Sequence, residues 1–310
     1  MVDLSIVIVN WNVRDLLRRC LNSILDTGCS ILVEVIVVDN ASTDGSVEMV
    51  ETEFPGVHLI TNADNRGFPA ANNQGIAVAQ GRYVFLLNPD TELVGDALAT
   101  MVAFADAHPD AGIVGPQLLN SDGSVQSSRR RFPTLATAFF ESTWLQSCSP
   151  PRVLERYYVL DRPDDVVQDV DWVTGAALLA RRKAIQQVGP MDEGFFMYSE
   201  ELDWCRRIKA AGWQVVYLPT ATVIHHEGKS SEQVIPARHI YFQSSKVRYF
   251  RKHHGSLQAE VLRWFLLATY AYQLAREGFK WLVGHKRPLR AERVRAYRQV
   301  LRSGLRGGCP

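Results

Sequence analysis

The stretch Tyr83-Val84-Phe85-Leu86-Leu87-Asn88-Pro89-Asp90 decides how this chain folds. Five apolar residues read as a strand that stops at a turn carrying one carboxylate. Pro89 fixes φ and removes a backbone donor, so the strand ends and Asp90 is presented at its carboxyl end. In open α/β sheets ligands collect along that edge. A hard-oxygen ligand on a rigid turn suits Mg²⁺ or Mn²⁺, which bind through one or two carboxylates plus substrate phosphates. The competing reading is a plain surface turn, because Asn-Pro-Asp is ordinary turn chemistry.

Outward from this stretch, strand and helix alternate from residue 1 to about residue 115. Leu4-Ser5-Ile6-Val7-Ile8-Val9 has the continuous apolar character of a buried parallel strand. Residues 14–25 have helical spacing, with Leu16, Leu17, Cys20, Leu21 and Ile24 on one face. Val33-Glu34-Val35-Ile36-Val37-Val38 predicts a second strand ending at Asp39, followed by a turn rich in helix caps and a helix over 46–53. A third strand is expected over 57–61, a helix over 69–79 after the loop Asn65-Arg66-Gly67-Phe68, and a fourth strand over 83–87. Such alternation implies an α/β fold with a mostly parallel central sheet and helices on both faces. Later, an apolar strand is expected within 167–180, a helix over 199–211, and two strands over 214–218 and 222–226. From Arg238 the pattern turns helical and basic.

At 310 residues and 46 % hydrophobic, the chain can bury a full core. Cys20, Cys29, Cys148, Cys205 and Cys309 are scattered with no CxxC pair, which predicts a reducing compartment without a disulfide framework or zinc site. A strand begins almost at Met1, so no signal peptide is expected. The net charge of +1 hides an asymmetry: residues 246–310 carry 15 Lys/Arg against 3 Asp/Glu, the remainder 19 against 30. An acidic body with a basic tail suggests different partners for the two parts. No long uncharged apolar run suits a spanning helix; the best candidate, 261–274, is short and contains Arg263.

Several side chains could carry chemistry. Asp39 ends an apolar strand, where it could accept from a nucleobase N–H or a ribose hydroxyl, or else cap a helix. Asn10, at the end of the first strand, could read the same base. In Met197-Tyr198-Ser199-Glu200-Glu201-Leu202-Asp203-Trp204, three carboxylates fall at a helix start, where the macrodipole favours anions. Their mutual repulsion should raise one pKa toward a general-base value. An ordinary N-cap at Ser199 with an acidic first turn reads equally well. His225-His226 follows a strand, so the two imidazoles face opposite sides and only one can meet a cleft.

Five blocks occur in order: Val38-Asp39-Asn40-Ala41-Ser42-Thr43-Asp44-Gly45-Ser46; Asn65-Arg66-Gly67-Phe68-Pro69-Ala70-Ala71-Asn72-Asn73-Gln74-Gly75; Leu87-Asn88-Pro89-Asp90; Phe195-Phe196-Met197-Tyr198-Ser199-Glu200-Glu201-Leu202-Asp203; and His225-His226-Glu227-Gly228-Lys229-Ser230. Together they resemble the family 2 inverting glycosyltransferases of the GT-A fold, in particular bacterial rhamnosyltransferases of cell-wall, O-antigen and exopolysaccharide assembly. The likeness spans roughly residues 3 to 235.

The resemblance implies roles residue by residue. Asn10, Asp39, Arg66, Asn88 and Asp90 would bind the nucleotide-sugar donor, with Asp39 as the base-reading aspartate. Asn88-Pro89-Asp90 matches the Asp-x-Asp metal motif, with Asn88 replacing its first charged ligand. Asp90 and His225 would hold Mg²⁺ or Mn²⁺, with His226 the alternative. Glu201 falls at the catalytic base, and Trp172, Gly175, Glu200 and Asp203 on the acceptor side. The implied reaction is a single displacement moving a sugar, most simply rhamnose from dTDP-rhamnose, to a lipid-linked or polysaccharide acceptor. A nucleotidyltransferase on a similar sheet, or a non-catalytic nucleotide-sugar-binding homologue, stays open at this point. The former would want a Gly- and Lys-rich phosphate loop, which Val9-Asn10-Trp11-Asn12 is not.

The expected organisation is a GT-A catalytic domain over 1–235, its nucleotide-sugar part about 1–115 and its acceptor part about 116–235, followed by a basic amphipathic helical region over 236–310. The last contains Trp264, Phe265, Leu266, Leu267, Tyr270, Leu274, Phe279, Trp281 and Leu282 among lysines and arginines. Such a helix reads as membrane-surface binding, which predicts a cytoplasmic, peripheral protein. A hairpin packed on the catalytic domain or an oligomer interface are the alternatives; nucleic acid is not expected.

Overall fold

The structure, a computed structural model, describes residues 2–28, 30–226, 235–284 and 286–306. The expected His-His-Glu-Gly-Lys-Ser block therefore lies outside the described residues beyond His226, as do Cys29 and Cys309. Cys20, Cys148 and Cys205 are free thiols. The chain divides into two compact units, Met1–Phe132, Tyr158–Gly194 and Glu200–Ser230 in the first, and Pro133–Tyr157, Phe195–Ser199 and Ser231–Pro310 in the second.

In chain order the elements are β1 (Leu4–Asn10), α1 (Arg14–Leu25), β2 (Val33–Asp39), α2 (Ser46–Glu53), β3 (His58–Thr61), α3 (Phe68–Val78), β4 (Tyr83–Leu87), β5 (Thr91–Val94), α4 (Ala97–Ala107), β6 (Ala111–Leu119), β7 (Val125–Gln126) and β8 (Arg129–Arg130). There follow α5 (Leu135–Phe140), α6 (Pro151–Tyr157), β9 (Gln168–Asp169), β10 (Trp172–Val173), β11 (Ala177–Arg181), α7 (Arg182–Val188), α8 (Glu200–Ala210), β12 (Gln214–His225), α9 (Ile235–His254), α10 (Ser256–Leu282) and α11 (Arg287–Ser303).

In the first unit, ten of the described strands form a sheet of order β3-β2-β1-β4-β11-β6-β12-β5, with β7 on β6 and β9 on β12, while β8 and β10 pair separately. The run β3-β2-β1-β4 is parallel, as the alternation predicts. β11 then runs antiparallel to both β4 and β6, β12 runs parallel to β6, and β5 antiparallel to β12. All residues of β1 and β4 are buried, which is why both read as unbroken apolar runs. α1 covers the sheet with Leu17, Cys20, Leu21 and Ile24.

Two expectations change on the sheet's later half. The strands expected over 214–218 and 222–226 are one strand, β12, whose register on β6 shifts between Leu218 and Thr222. Pro219 lies in the shift, where a missing N–H is tolerated only at an irregularity. The single strand expected within 167–180 is three short ones, β9, β10 and β11.

The second unit is helical. α10 and α11 carry an ion-pair cluster around the buried Glu277, which binds Arg290, with the exposed Arg276 and Arg293 and the half-buried Lys280 at 3.5, 3.8 and 4.0 Å. Lys246 of α9 lies 2.5 Å from Glu141. The segment Phe195–Ser199 is held there too, with Ser245 Oγ donating to the Met197 carbonyl at 2.8 Å and Phe196 stacked on Tyr241.

Helix α3 can lie close on the sheet because residue 75 is glycine. A Cβ there would stand 2.3 Å from Val7 Cγ1, inside a fully buried strand. Gly75→Val should therefore destabilise the protein by about 1–3 kcal/mol through overpacking, whereas Gly56→Ala, with open space around it, should be close to neutral. Urea midpoints of the two variants test this; equal midpoints would mean that α3 is free to lift off the sheet.

Candidate active site

The strand order reverses at β1, with β2 and β3 on one side and β4 on the other. Crevices open at the carboxyl ends of strands at such a switch point. There Asn10 and Asp39 sit side by side in register. Asn10 Nδ2 donates to Asp39 Oδ2 at 2.8 Å and to Ser42 Oγ at 3.1 Å, and the Ser42 N–H donates to Asp39 Oδ1 at 2.8 Å. Asp39, 2 % exposed, thus knits β1, β2 and the following turn together. Asn10 Oδ1 is buried with no partner, so it is the acceptor left over at this edge. Arg66 stands exposed on the loop before α3.

Beyond β4 the turn is held from several sides. Asn88 N–H donates to the Ala176 carbonyl at 2.9 Å, Thr91 Oγ donates to the Asn88 carbonyl at 2.7 Å, and the Cys20 thiol reaches the same carbonyl. Burial pushes that thiol up to about 12, so it packs as a neutral group. Asp90 is 4 % exposed. Its neighbour β5 pairs with β12 in the register His225↔Thr91, and the His226 N–H donates to the Asp90 carbonyl at 2.8 Å.

This pairing brings His225 Nε2 to 3.4 Å from Asp90 Oδ1. His226 faces elsewhere, 2.7 Å from Glu92 Oε1 and 2.6 Å from Ser121 Oγ. Of the two histidines left open by the sequence, His225 is the one beside Asp90. Among the described residues no group of three or more His, Cys, Asp or Glu side chains could cage a metal. What the site offers is a carboxylate, an imidazole nitrogen and, nearby in sequence, the buried and unpartnered Asn88 Oδ1. Two firm ligands of this chemistry fit a Mg²⁺ or Mn²⁺ ion completed by phosphate oxygens and water.

The acidic cluster lies at the first turn of α8. Tyr198 and Ser199 before it both have positive φ, +71° and +66°. Ser199 is therefore outside the extended geometry of an N-cap, and two successive left-handed non-glycine residues store backbone strain, a recurrent feature of functional sites. Glu201 is partly buried against Gly175, where a Cβ would come within 3.4 Å of the Glu201 side chain. Burial raises the pKa of Glu201, against the Gly175 N–H and the Arg130 charge, which lower it. Arg130 itself lies over the rings of Tyr158 and Trp172. Glu200 is 4 % exposed, and burial, followed by the Glu201 carboxylate, raises it well above the ordinary 4.5.

Two expected acceptor residues are differently placed. Asp203 is 0 % exposed and bonded to Arg207 Nε at 2.9 Å, an i,i+4 pair inside the unit, so it is not open to an acceptor. Trp172 is 8 % exposed, and its indole N–H donates to the Arg131 carbonyl at 3.0 Å. Its ring is thus mostly enclosed.

A switch-point crevice of this kind on a mostly parallel sheet is the GT-A glycosyltransferase architecture. Mannosyltransferase PcManGT from Pyrobaculum calidifontis, solved in complex with GDP-Man and Mn²⁺, shares the fold with a TM-score of 0.57 at 19 % identity, over 97 % of this chain and 84 % of that one. The chain belongs to glycosyl transferase family 2, whose description matches residues 5–188. It is 32 % identical over 281 residues to N-acetylglucosaminyl-diphospho-decaprenol L-rhamnosyltransferase of Mycobacterium tuberculosis, covering 86 % of this chain and 90 % of the relative. It is 25 % identical over 280 residues to rhamnosyltransferase WbbL of Escherichia coli (strain K12), covering 88 % and 92 %. The protein is a glycosyltransferase, and the nucleotidyltransferase and non-catalytic readings fall away.

The buried Glu200 gives a stability signature. Its folded pKa lies above the unfolded value of 4.5, so the folded state keeps its proton after the unfolded state has released it. Stability from this group is complete below 4.5 and is lost as pH rises toward the folded value. Thermal unfolding between about pH 5 and about pH 8 should show the parent losing stability relative to Glu200→Gln. A constant difference across that range would remove Glu200 from the titrating pair.

Proposed function

We propose that this glycosyltransferase moves L-rhamnose from dTDP-rhamnose to a lipid-linked glycan, with inversion and with a divalent cation at Asp90. The observation that carries the donor half is the meeting of Asp90 and His225 at the carboxyl edge of the sheet. The choice of rhamnose rests on the similarity to rhamnosyltransferases along most of the chain. Asn10 Oδ1 would accept from the base or ribose, held in place by Asp39, and Arg66 would reach the diphosphate. Asp90 and His225 would hold Mg²⁺ or Mn²⁺, with Asn88 as a neutral neighbour. When bound, the cation would offset the negative charge that develops on the departing nucleoside diphosphate.

Glu201 would act as general base. In one displacement the acceptor oxygen attacks the anomeric carbon, its proton passes to Glu201, and the bond to the diphosphate oxygen breaks. The raised pKa of Glu201 makes its carboxylate a stronger base than an exposed glutamate. Gly175 would keep the space in front of it open, and the Gly175 N–H and Arg130 would keep the base ionised.

The reading predicts that dTDP with Mn²⁺ raises the melting temperature more than other nucleoside diphosphates, by an amount equal to about 2.7 kcal/mol at 100 times the Kd. Glu201→Gln should leave that shift in place while transfer falls roughly 10²–10⁴-fold. Parent-like transfer by this variant would remove Glu201 from the base role.

We also propose that α10 lies against an anionic membrane surface. No helix among the described residues is long and apolar enough to cross a membrane. Yet Leu257, Val261, Trp264, Tyr272, Phe279 and Leu282, at helical spacing, are all exposed along α10. A helix of 27 residues extends about 40 Å. Arg276 and Lys280 flank the stripe, and Lys286 and Arg287 follow it. An aromatic-rich stripe flanked by cations suits the lipid interface. Trp264→Ser with Phe279→Ser should weaken binding to phosphatidylglycerol vesicles, and salt should weaken the parent only in part because apolar burial is not screened. Parent binding that salt abolishes completely would make the contact electrostatic alone.

A further inference from the structure

The imidazole beside Asp90 is gripped from behind. β6 and β7 form an antiparallel hairpin with Leu118 opposite Gln126 and Leu119 opposite Val125. Its turn is closed by the Asn120 N–H donating to the Ser124 carbonyl at 2.8 Å and by Gly123 at φ +83°. Because β6 also pairs with β12, Leu119 lies opposite Ile224, and the hairpin tip reaches both histidines. Gln126 Oε1 lies 2.7 Å from His225 Nδ1, and Ser121 Oγ lies 2.6 Å from His226 Nδ1.

The hydrogen bonds behind Gln126 run in one direction only. Asp122 accepts from both the hydroxyl and the N–H of Ser124, bonds that hold its carboxyl below the usual carboxylate range. An ionised carboxylate has no proton to give, so the Ser124 hydroxyl must donate to it. Ser124 Oγ is then left to accept, and it does so from Asn120 Nδ2 at 2.9 Å. That orients the Asn120 amide with Oδ1 outward, where it accepts from Gln126 Nε2 at 2.9 Å. The Gln126 amide is oriented in turn, with Oε1 toward His225. An amide oxygen can only accept, so Nδ1 of His225 must carry a proton. Reversing Asn120 would set its Oδ1 against the Ser124 hydroxyl oxygen, and reversing Gln126 would set its Oε1 against Asn120 Oδ1, each of which costs more than the bond is worth.

A neutral imidazole protonated at Nδ1 has its lone pair on Nε2. That atom faces Asp90 Oδ1 at 3.4 Å, also a lone-pair donor. We infer that the relay Asp122–Ser124–Asn120–Gln126 is a positioning device that fixes the proton and orientation of His225 so that Nε2 is offered, together with Asp90, to the cation of the donor complex. Gln126 is a positioning residue and touches no reacting atom. The inference rests on the proposed reading of Asp90 and His225 as metal ligands. Partners behind a ligating imidazole typically contribute 10–100-fold to metal affinity.

The test uses the full-length protein and Mn²⁺ with inorganic pyrophosphate, titrated by the electron paramagnetic resonance of free Mn²⁺. Gln126→Leu should weaken Mn²⁺ binding by roughly 10–100-fold. Gln126→Glu, whose carboxylate accepts from Nδ1–H without needing the relay to orient it, should recover part of that loss although it gives up the bond to Asn120. Nitrogen-15 spectra of the metal-free protein should show His225 protonated at Nδ1 in the parent and in Gln126→Glu, and losing that preference in Gln126→Leu. A destabilised hairpin alone would weaken both variants alike and would not be rescued by glutamate. His225→Ala separates the two readings. If it binds Mn²⁺ as well as the parent, the ligand assignment of His225 fails and the relay has nothing to position. If His225→Ala is weak while Gln126→Leu binds like the parent, the ligand assignment stands and the relay is overturned.

Discussion

The antiparallel pairing of β12 with β5 is the constraint on which the candidate site depends. β5 begins one residue after Asp90, and β12 ends at His225. Their register puts Thr91 opposite His225, so the backbone itself sets carboxylate beside imidazole across the 134 residues of chain that separate Asp90 from His225. Pro89 supplies the other half of the constraint. It ends β4 and lets the chain turn into a strand of opposite direction, which carries Asp90 at the bend. Shifting this register by one residue would swap which histidine meets Asp90, since neighbouring side chains point to opposite faces.

Much of this was legible in the sequence, and the exceptions have physical causes. The strands β1 and β4 are buried throughout and β2 over its last four residues, so their composition announces them. Asp90 follows from Pro89. β5 is four residues long and makes its pairing with a strand more than a hundred residues away, so no local pattern reveals it. For the same reason the choice between His225 and His226 was undecidable: alternation says that they diverge, while the pairing partner says which way. Asp203 did carry a signal, the Arg207 four residues on, whose side chain reaches it on the same helix face. Gln126 carried none, because an amide in a short hairpin is unremarkable until the histidine behind it is placed.

The two ends of the site differ in electrostatic design. At Asp90 the protein sets a carboxylate and an imidazole 3.4 Å apart, and among the described residues no group of three or more His, Cys, Asp or Glu side chains could cage a metal. At α8 it buries two adjacent carboxyls, and the environment raises both. A bound ion would stabilise the first arrangement, and a transferred proton the second. Local rules are expected to be broken where function is located.

The division of the chain has a bearing on how the protein can be made and rearranged. The backbone passes between its two units at Phe132/Pro133, Tyr157/Tyr158, Gly194/Phe195 and Ser199/Glu200 before the C-terminal helices begin. The helical unit is therefore not a cassette appended to a finished catalytic body. Two of its pieces are inserted within the sequence of the other unit, and the second of them leads directly into the turn that carries Glu200 and Glu201. During synthesis neither unit can close until the ribosome has passed β12, and β5 waits unpaired for the same strand. Recombination or gene fusion that treats the helices as a detachable tail would leave those inserted pieces without partners. Acquiring a different helical unit would require coordinated change at three separated places in the gene.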